Sequence, residues 1–208
     1  MSSQKQEVNL SNQDKEYIEE KYREIKDLDE RSHDVQINER ERNDYQRDYA
    51  RVLYSSSFRR LQGKMQILGI HHDKFYRNRL THSLEVAQIA RTIAGNLRRA
   101  MKDYDDLSLY GKDMYVIDTC ALSHDLGHPP FGHYGETILN DIDNEINFEG
   151  NAQSVRILTK LEKKVPNVRG LNLTFRSLLG TSKYIFSENG DHDGKYLYKD
   201  DYEKLTEY

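Results

Sequence analysis

Apolar residues are spread thinly and unevenly along this chain, and where they gather they recur at three- and four-residue spacing. Residues 1 to 44 are dominated by Glu, Asp, Lys, Arg, Asn and Gln, and only the stripe Ile18, Tyr22, Ile25 and Leu28 marks a helix over Asp14 to Leu28. This predicts a charged arm, partly helical or disordered. From Tyr45 the pattern thickens, and Ser55-Ser56-Ser57 is placed to cap a new helix running to about Gln66, with Gly69 ending it. After a loop from His71 to Asn78 comes the stripe His82, Val86, Ile89 and Ile93, with a second row Leu80, Leu84, Ala87 and Leu97. A helix apolar on two sides should be buried, which turns His82 inward until the helix frays near Met101.

Beyond a polar connection, Tyr115 to Leu122 predicts a buried helix with Ile117, Cys120, Ala121 and His124 on one face. Gly127 and Pro129-Pro130 stop it within a turn, because proline lacks the N–H and clashes with a continuing helix. Helix resumes over Glu136 to Asp143, with His133 and Glu136 three apart on one face. Asn151 is a plausible cap for a helix carrying Ala152, Val155, Leu158 and Val165 and ended by Pro166, and Gly170-Leu171-Asn172 opens another from Leu173 to about Phe186. From Ser187 the chain turns acidic and tyrosine-rich, with Asn189-Gly190 and Asp193-Gly194 as turn signals. No alternating strand pattern of useful length occurs, so the class is all-α, divided into an arm over 1–44, a helical domain over 45–186 and a tail over 187–208.

Composition narrows the setting. With 36% hydrophobic and 32% charged residues in 208, one domain with solvated extensions is expected. A net charge of −4 argues against a general nucleic-acid or membrane-surface coat. The single cysteine, Cys120, points to a reducing compartment, and the absence of a membrane span or signal-peptide core gives a cytoplasmic reading.

The chemistry concentrates in Ser123 to Glu136, which holds three of the eight histidines and two of the three prolines. His124 and Asp125 at a helix end offer a cation one imidazole and one carboxylate, and His82 is the candidate third ligand. The bland alternative, a core histidine satisfied by a carbonyl, fits a lone His82 better than it fits the three residues together. Arg59, Arg60, Lys64, Lys74, Arg77 and Arg79, opposed by Asp73 alone, suit an anion such as phosphate. Arg59, Lys64 and Lys74 read as solvated charges, whereas Arg79 lies three residues before His82. A bound divalent ion activates water and polarises a phosphoryl oxygen, and His133 or His128 is placed to protonate a departing oxygen, with Glu136 orienting an imidazole.

These motifs resemble the HD-domain superfamily of metal-dependent phosphohydrolases, and within it the deoxyguanosine triphosphate triphosphohydrolase branch. The matching runs are Ser57-Phe58-Arg59-Arg60-Leu61-Gln62-Gly63-Lys64-Met65-Gln66, Tyr76-Arg77-Asn78-Arg79-Leu80-Thr81-His82-Ser83-Leu84-Glu85-Val86, the Ser123–Glu136 run, Phe148-Glu149-Gly150-Asn151-Ala152-Gln153-Ser154 and Gly170-Leu171-Asn172-Leu173-Thr174. The resemblance implies an all-helical fold and hydrolysis of a deoxynucleoside triphosphate, dGTP first among them, to deoxynucleoside and inorganic triphosphate. It implies a divalent metal (Mn, Mg, Fe, Co or Zn) on His82, His124 and Asp125, and His133 as catalytic acid paired with Glu136. It also implies His128 on phosphate, Gln66 at the sugar 3′-hydroxyl, and Arg79 and Asn78 on the phosphate side. Homo-oligomers, with a nucleotide or single-stranded DNA effector, are in keeping with it.

The sequence departs from that pattern at one point. The family's metal site is completed by a downstream aspartate in a C-terminal half, and Asp191, Asp193, Asp200 and Asp201 lie in a stretch without the matching motif. A fragment or a shortened form is therefore expected. The competing readings are a non-catalytic nucleotide- or nucleic-acid-binding regulatory module, and another HD phosphohydrolase.

Overall fold

The computed structural model describes residues 10–25, 28–33, 41–65, 78–101, 112–142, 147–164, 166–187 and 194–207. Among these, nine α-helices and no β-strand occur: α1 (Asn12–Ile25), α2 (Asp44–Leu53), α3 (Ser56–Arg60), α4 (Arg79–Ala100), α5 (Lys112–Ser123), α6 (His133–Ile142), α7 (Gly150–Arg156), α8 (Phe175–Thr181) and α9 (Lys199–Thr206). The chain is all-α, as the sequence predicts.

Short polar side chains set where the helices begin. Asn43 and Gln46 form a reciprocal capping box at the start of α2. Ser55 accepts the Phe58 N–H at 3.1 Å and opens α3, as expected of the serine run. Asn78 accepts the Thr81 N–H at 2.9 Å and opens α4. α5 is the central element, packed against α2, α4 and α8. The core around it joins Val52, Phe58, Leu61, Ala87, Leu122, Leu126, Val155, Leu158, Leu173 and Leu178.

Several expected boundaries shift, each for a local reason. α3 stops at Arg60 and tightens into a 3₁₀ turn over Leu61–Gly63 instead of running to about Gln66; Gln66, Gly69 and residues 71–77 lie outside the described residues. α7 is capped by Glu149, whose Oε2 accepts the Ala152 N–H at 2.6 Å, and Asn151 lies within the first turn. At Ile157 the helix widens into a π turn through Leu161, where the Glu162 N–H reaches the Ile157 carbonyl at 3.0 Å. Leu171 to Leu173 are buried but not helical, and α8 starts at Phe175, capped by Thr174. Gly170 has φ +70°, and a Cβ there would lie 2.3 Å from the Leu158 carbonyl oxygen, so this turn closes against the π segment only with glycine.

α4 departs most from its expected burial. Ile89 and Ile93 are 58% and 61% exposed, Leu84 is exposed too, and the buried positions are Arg79, Ser83, Ala87 and Ala94. The helix turns a face of small residues to α5, which lets the two backbones approach closely, and leaves Leu84, Ile89 and Ile93 outside while Leu80 and Val86 pack half-buried against the core.

The arm and the tail are both engaged by the body. Phe175 and Arg176 donate backbone N–H groups to the Glu30 and Leu28 carbonyls at 2.9 and 3.0 Å. Buried Asp48 accepts Arg31 at 2.6 Å and the Thr174 hydroxyl at 2.7 Å. Residues 199–206, expected as turn-rich, form α9, and Leu197 and Leu205 enter the core. No helix among the described residues is long and apolar enough to cross a membrane.

Candidate functional site

The face of α5 expected to carry Ile117, Cys120, Ala121 and His124 does so, but it forms the wall of a cavity of about 1290 Å³ instead of dry core. His82 and Arg79 from α4, Asp125 and His128 from the turn after α5, and Phe131 to His133 line the same cavity. Burial beside Gly180 and Ser177 pushes the Cys120 thiol up to about 12, so it is a neutral lining group.

At one end His82, His124 and Asp125 meet. Their donor atoms all lie within 4.8 Å of one another. His124 Nδ1–H donates to the Ala121 carbonyl at 2.7 Å, because a carbonyl can only accept, and this leaves the Nε2 lone pair facing Asp125 Oδ1 at 3.3 Å. His82 Nε2 is 3.9 Å from Asp125 Oδ2. Two imidazole nitrogens and a carboxylate, one imidazole fixed by a carbonyl behind it, fit a divalent transition ion. Asp125 also accepts Arg79 at 2.7 Å, with both side chains almost fully buried. Burial alone would raise the Asp125 pKa, but His124, His128, Arg79 and His82 outweigh it and hold the carboxyl below its ordinary value.

On the adjoining wall His133 Nδ1 bonds Glu136 Oε2 at 2.7 Å, realising the three-residue spacing read from the sequence. The His133 side chain is 77% exposed, whereas His128, 5.3 Å away ring to ring, is only 8% exposed. Burial lowers the His128 pKa; Asp125 raises it, Arg79 lowers it, and the net shift is downward. Phe131 and Gly132, at φ 68° and 60°, turn the chain from the proline pair into α6. A Cβ on Gly132 would lie 2.9 Å from the Arg79 guanidinium, so this left-handed turn makes room for the arginine. Gly127 packs against α7 so closely that a Cβ would lie 2.2 Å from the Ser154 nitrogen.

Of the other expected site residues, Asn78 spends its side-chain oxygen on the α4 cap and does not line the cavity, and Gln66 lies outside the described residues. Lys64, read from sequence as a solvated charge, instead donates to the His128 carbonyl at 2.8 Å, while its own carbonyl accepts the Arg79 N–H at 2.9 Å. Burial, then Arg79 and Arg60, lower its pKa. Asn151, Lys183, Tyr184 and Lys195 also line the cavity, and none of the three from 183 onward was singled out by the sequence. The run Phe148-Glu149-Gly150-Asn151 was the available signal for the first; the other three are brought in by the fold alone.

A family model described as HD domain matches residues 79–201. The chain is similar to deoxyguanosinetriphosphate triphosphohydrolase-like protein 2 of Vibrio cholerae, 55% identical over 165 residues, covering 79% of this chain and 38% of that protein. It is also similar to deoxyguanosinetriphosphate triphosphohydrolase-like proteins of Shewanella loihica (50% identical, 71% of this chain and 33% of that one) and Shewanella halifaxensis (49% identical, 69% and 32%). The chain thus spans about a third to two fifths of the length of the curated relatives it matches.

Proposed function

Since the chain belongs to the HD-domain family, we propose that it carries the metal- and proton-handling part of a deoxynucleoside triphosphate triphosphohydrolase, with dGTP the first substrate to test. The observation that carries this reading is the convergence of His82, His124 and Asp125 at the end of a cavity that also holds Arg79, His128 and His133. A divalent ion held by His82, His124 and Asp125 would supply Lewis-acid polarisation of a phosphoryl oxygen and a water of lowered pKa.

The chain's own residues account for the rest. Glu136 accepts from His133 Nδ1–H, which fixes the orientation of the ring; the proton handed to the departing deoxynucleoside 5′-oxygen then sits on Nε2. Arg79, anchored by Asp125 and fitted against Gly132, presents a fixed positive charge to the α-phosphate region. His128, held by Lys64 through its carbonyl, contributes a buried imidazole to the phosphate side. Lys183 and Lys195 add positive charge to the cavity wall for the rest of the triphosphate.

Product analysis is the test. With dGTP and Mn²⁺, the reading expects deoxyguanosine and inorganic triphosphate; dGMP with pyrophosphate would refute it. Binding without turnover draws on one observation, that Arg79 already engages Oδ2 of the carboxylate an ion would share. In the same assay that reading gives nucleotide binding and no product.

A further inference from the structure

Two buried atoms beside the first cation group have no hydrogen-bond partner: Nδ1 of His128 and Oε1 of Glu136. They face one place. A Cβ built on Gly150 would lie 2.2 Å from Glu136 Oε1 and 3.2 Å from His128 Nδ1, so both atoms pack against the same bare glycine, which puts no side chain between them. Leaving such groups unpaired when buried is costly, so two of them side by side call for a shared partner. A carboxylate oxygen and an imidazole lone pair both accept, so their shared partner is a water donating to both or a cation, and a third donor atom beside them favours the cation.

His133 completes the set. With His128 and Glu136 it offers three donor atoms within 4.8 Å of one another, none of them shared with the His82, His124 and Asp125 group. Its exposed ring gives an ion a path from solvent. Asp125 Oδ1, 3.6 Å from His128 Nδ1, adds negative charge behind the set and offsets Arg79. Two imidazoles and one carboxylate suit zinc-class ions, whereas magnesium prefers an oxygen shell.

We propose that His128, His133 and Glu136 form a second divalent-cation site, distinct from the first group and selective for zinc over magnesium. Resting on the function proposed above, a consequence follows: the ion draws on the same carboxylate and ring that serve as proton donor, so zinc bound here occupies the donor and stops turnover.

Ion counting tests the site without any assay of hydrolysis. The full 208-residue chain is dialysed against Zn²⁺ and the bound metal quantified by mass spectrometry. His133→Ala, at an exposed position, and the near-isosteric Glu136→Gln should each bind one zinc fewer per chain than wild type, with unchanged far-ultraviolet circular dichroism. His82→Ala/Glu136→Gln should bind one fewer than His82→Ala alone. Retention of the wild-type zinc content by either single variant overturns the proposal. A chain that hydrolyses nothing still yields the count, so failure of the hydrolase reading and failure of this site are separate results.

Discussion

The two histidine–carboxylate groups of the cavity are built in opposite ways. His82 comes from α4 and His124 and Asp125 from the turn that ends α5, far apart in sequence, and Asp125 ties them to buried Arg79. His133 and Glu136 are neighbours on one helical turn of α6, joined to His128 across Gly150 and open to solvent on the His133 side. The first group is therefore bound up with the stability of the fold, and the second can be altered at little structural cost.

The largest expected effect is at the first group. Asp125→Asn should abolish metal-dependent turnover and, by leaving Arg79 buried without its carboxylate, lower unfolding free energy by about 3 kcal/mol in denaturant titration. Full stability in that variant would break the contrast. His133→Ala should do the reverse, reducing kcat by about 10²–10⁴-fold while changing stability by less than about 0.5 kcal/mol. Gly150→Ala should push Glu136 and His128 apart, with about 10²-fold loss of kcat and about 1–3 kcal/mol of strain; kcat unchanged in crystals showing the Cβ accommodated would refute the tight fit. Lys64→Met removes the donor to the His128 carbonyl and should cost about 1 kcal/mol, read as a lowered Tm.

The smallest effect is a pH dependence. The folded His128 imidazole has a pKa below its ordinary 6.5, so as pH falls through that value the unfolded chain takes up a proton the buried ring refuses, and stability declines. His128→Asn should flatten the stability profile below pH 6.5, and an unchanged slope would count against His128 as its source.

Much of this contrast was legible in the sequence because it is local. The proline pair fixes where α5 ends, the three-residue spacing of His133 and Glu136 needs only one helical turn, and His82 needs only its place in the first turn of α4. What stayed hidden depends on contacts between distant segments. The apolar rows of α4 announce two greasy faces, but burial follows Ser83, Ala87 and Ala94, because close approach to α5 rewards small side chains over large ones. Lys64 looks like any surface lysine until the turn from Leu126 to His128 is folded over it. The acidic composition around Asp200 and Asp201 hides that Leu197 and Leu205, bracketing them, are core residues.

At Gly127 main chain rests directly on main chain, since even a methyl group would collide with the Ser154 nitrogen and the Gly150 carbonyl. The end of α5 and the start of α7 consequently behave as one casting. His124 and Asp125, next to Gly127, therefore keep a position relative to α7 that is set when the chain folds.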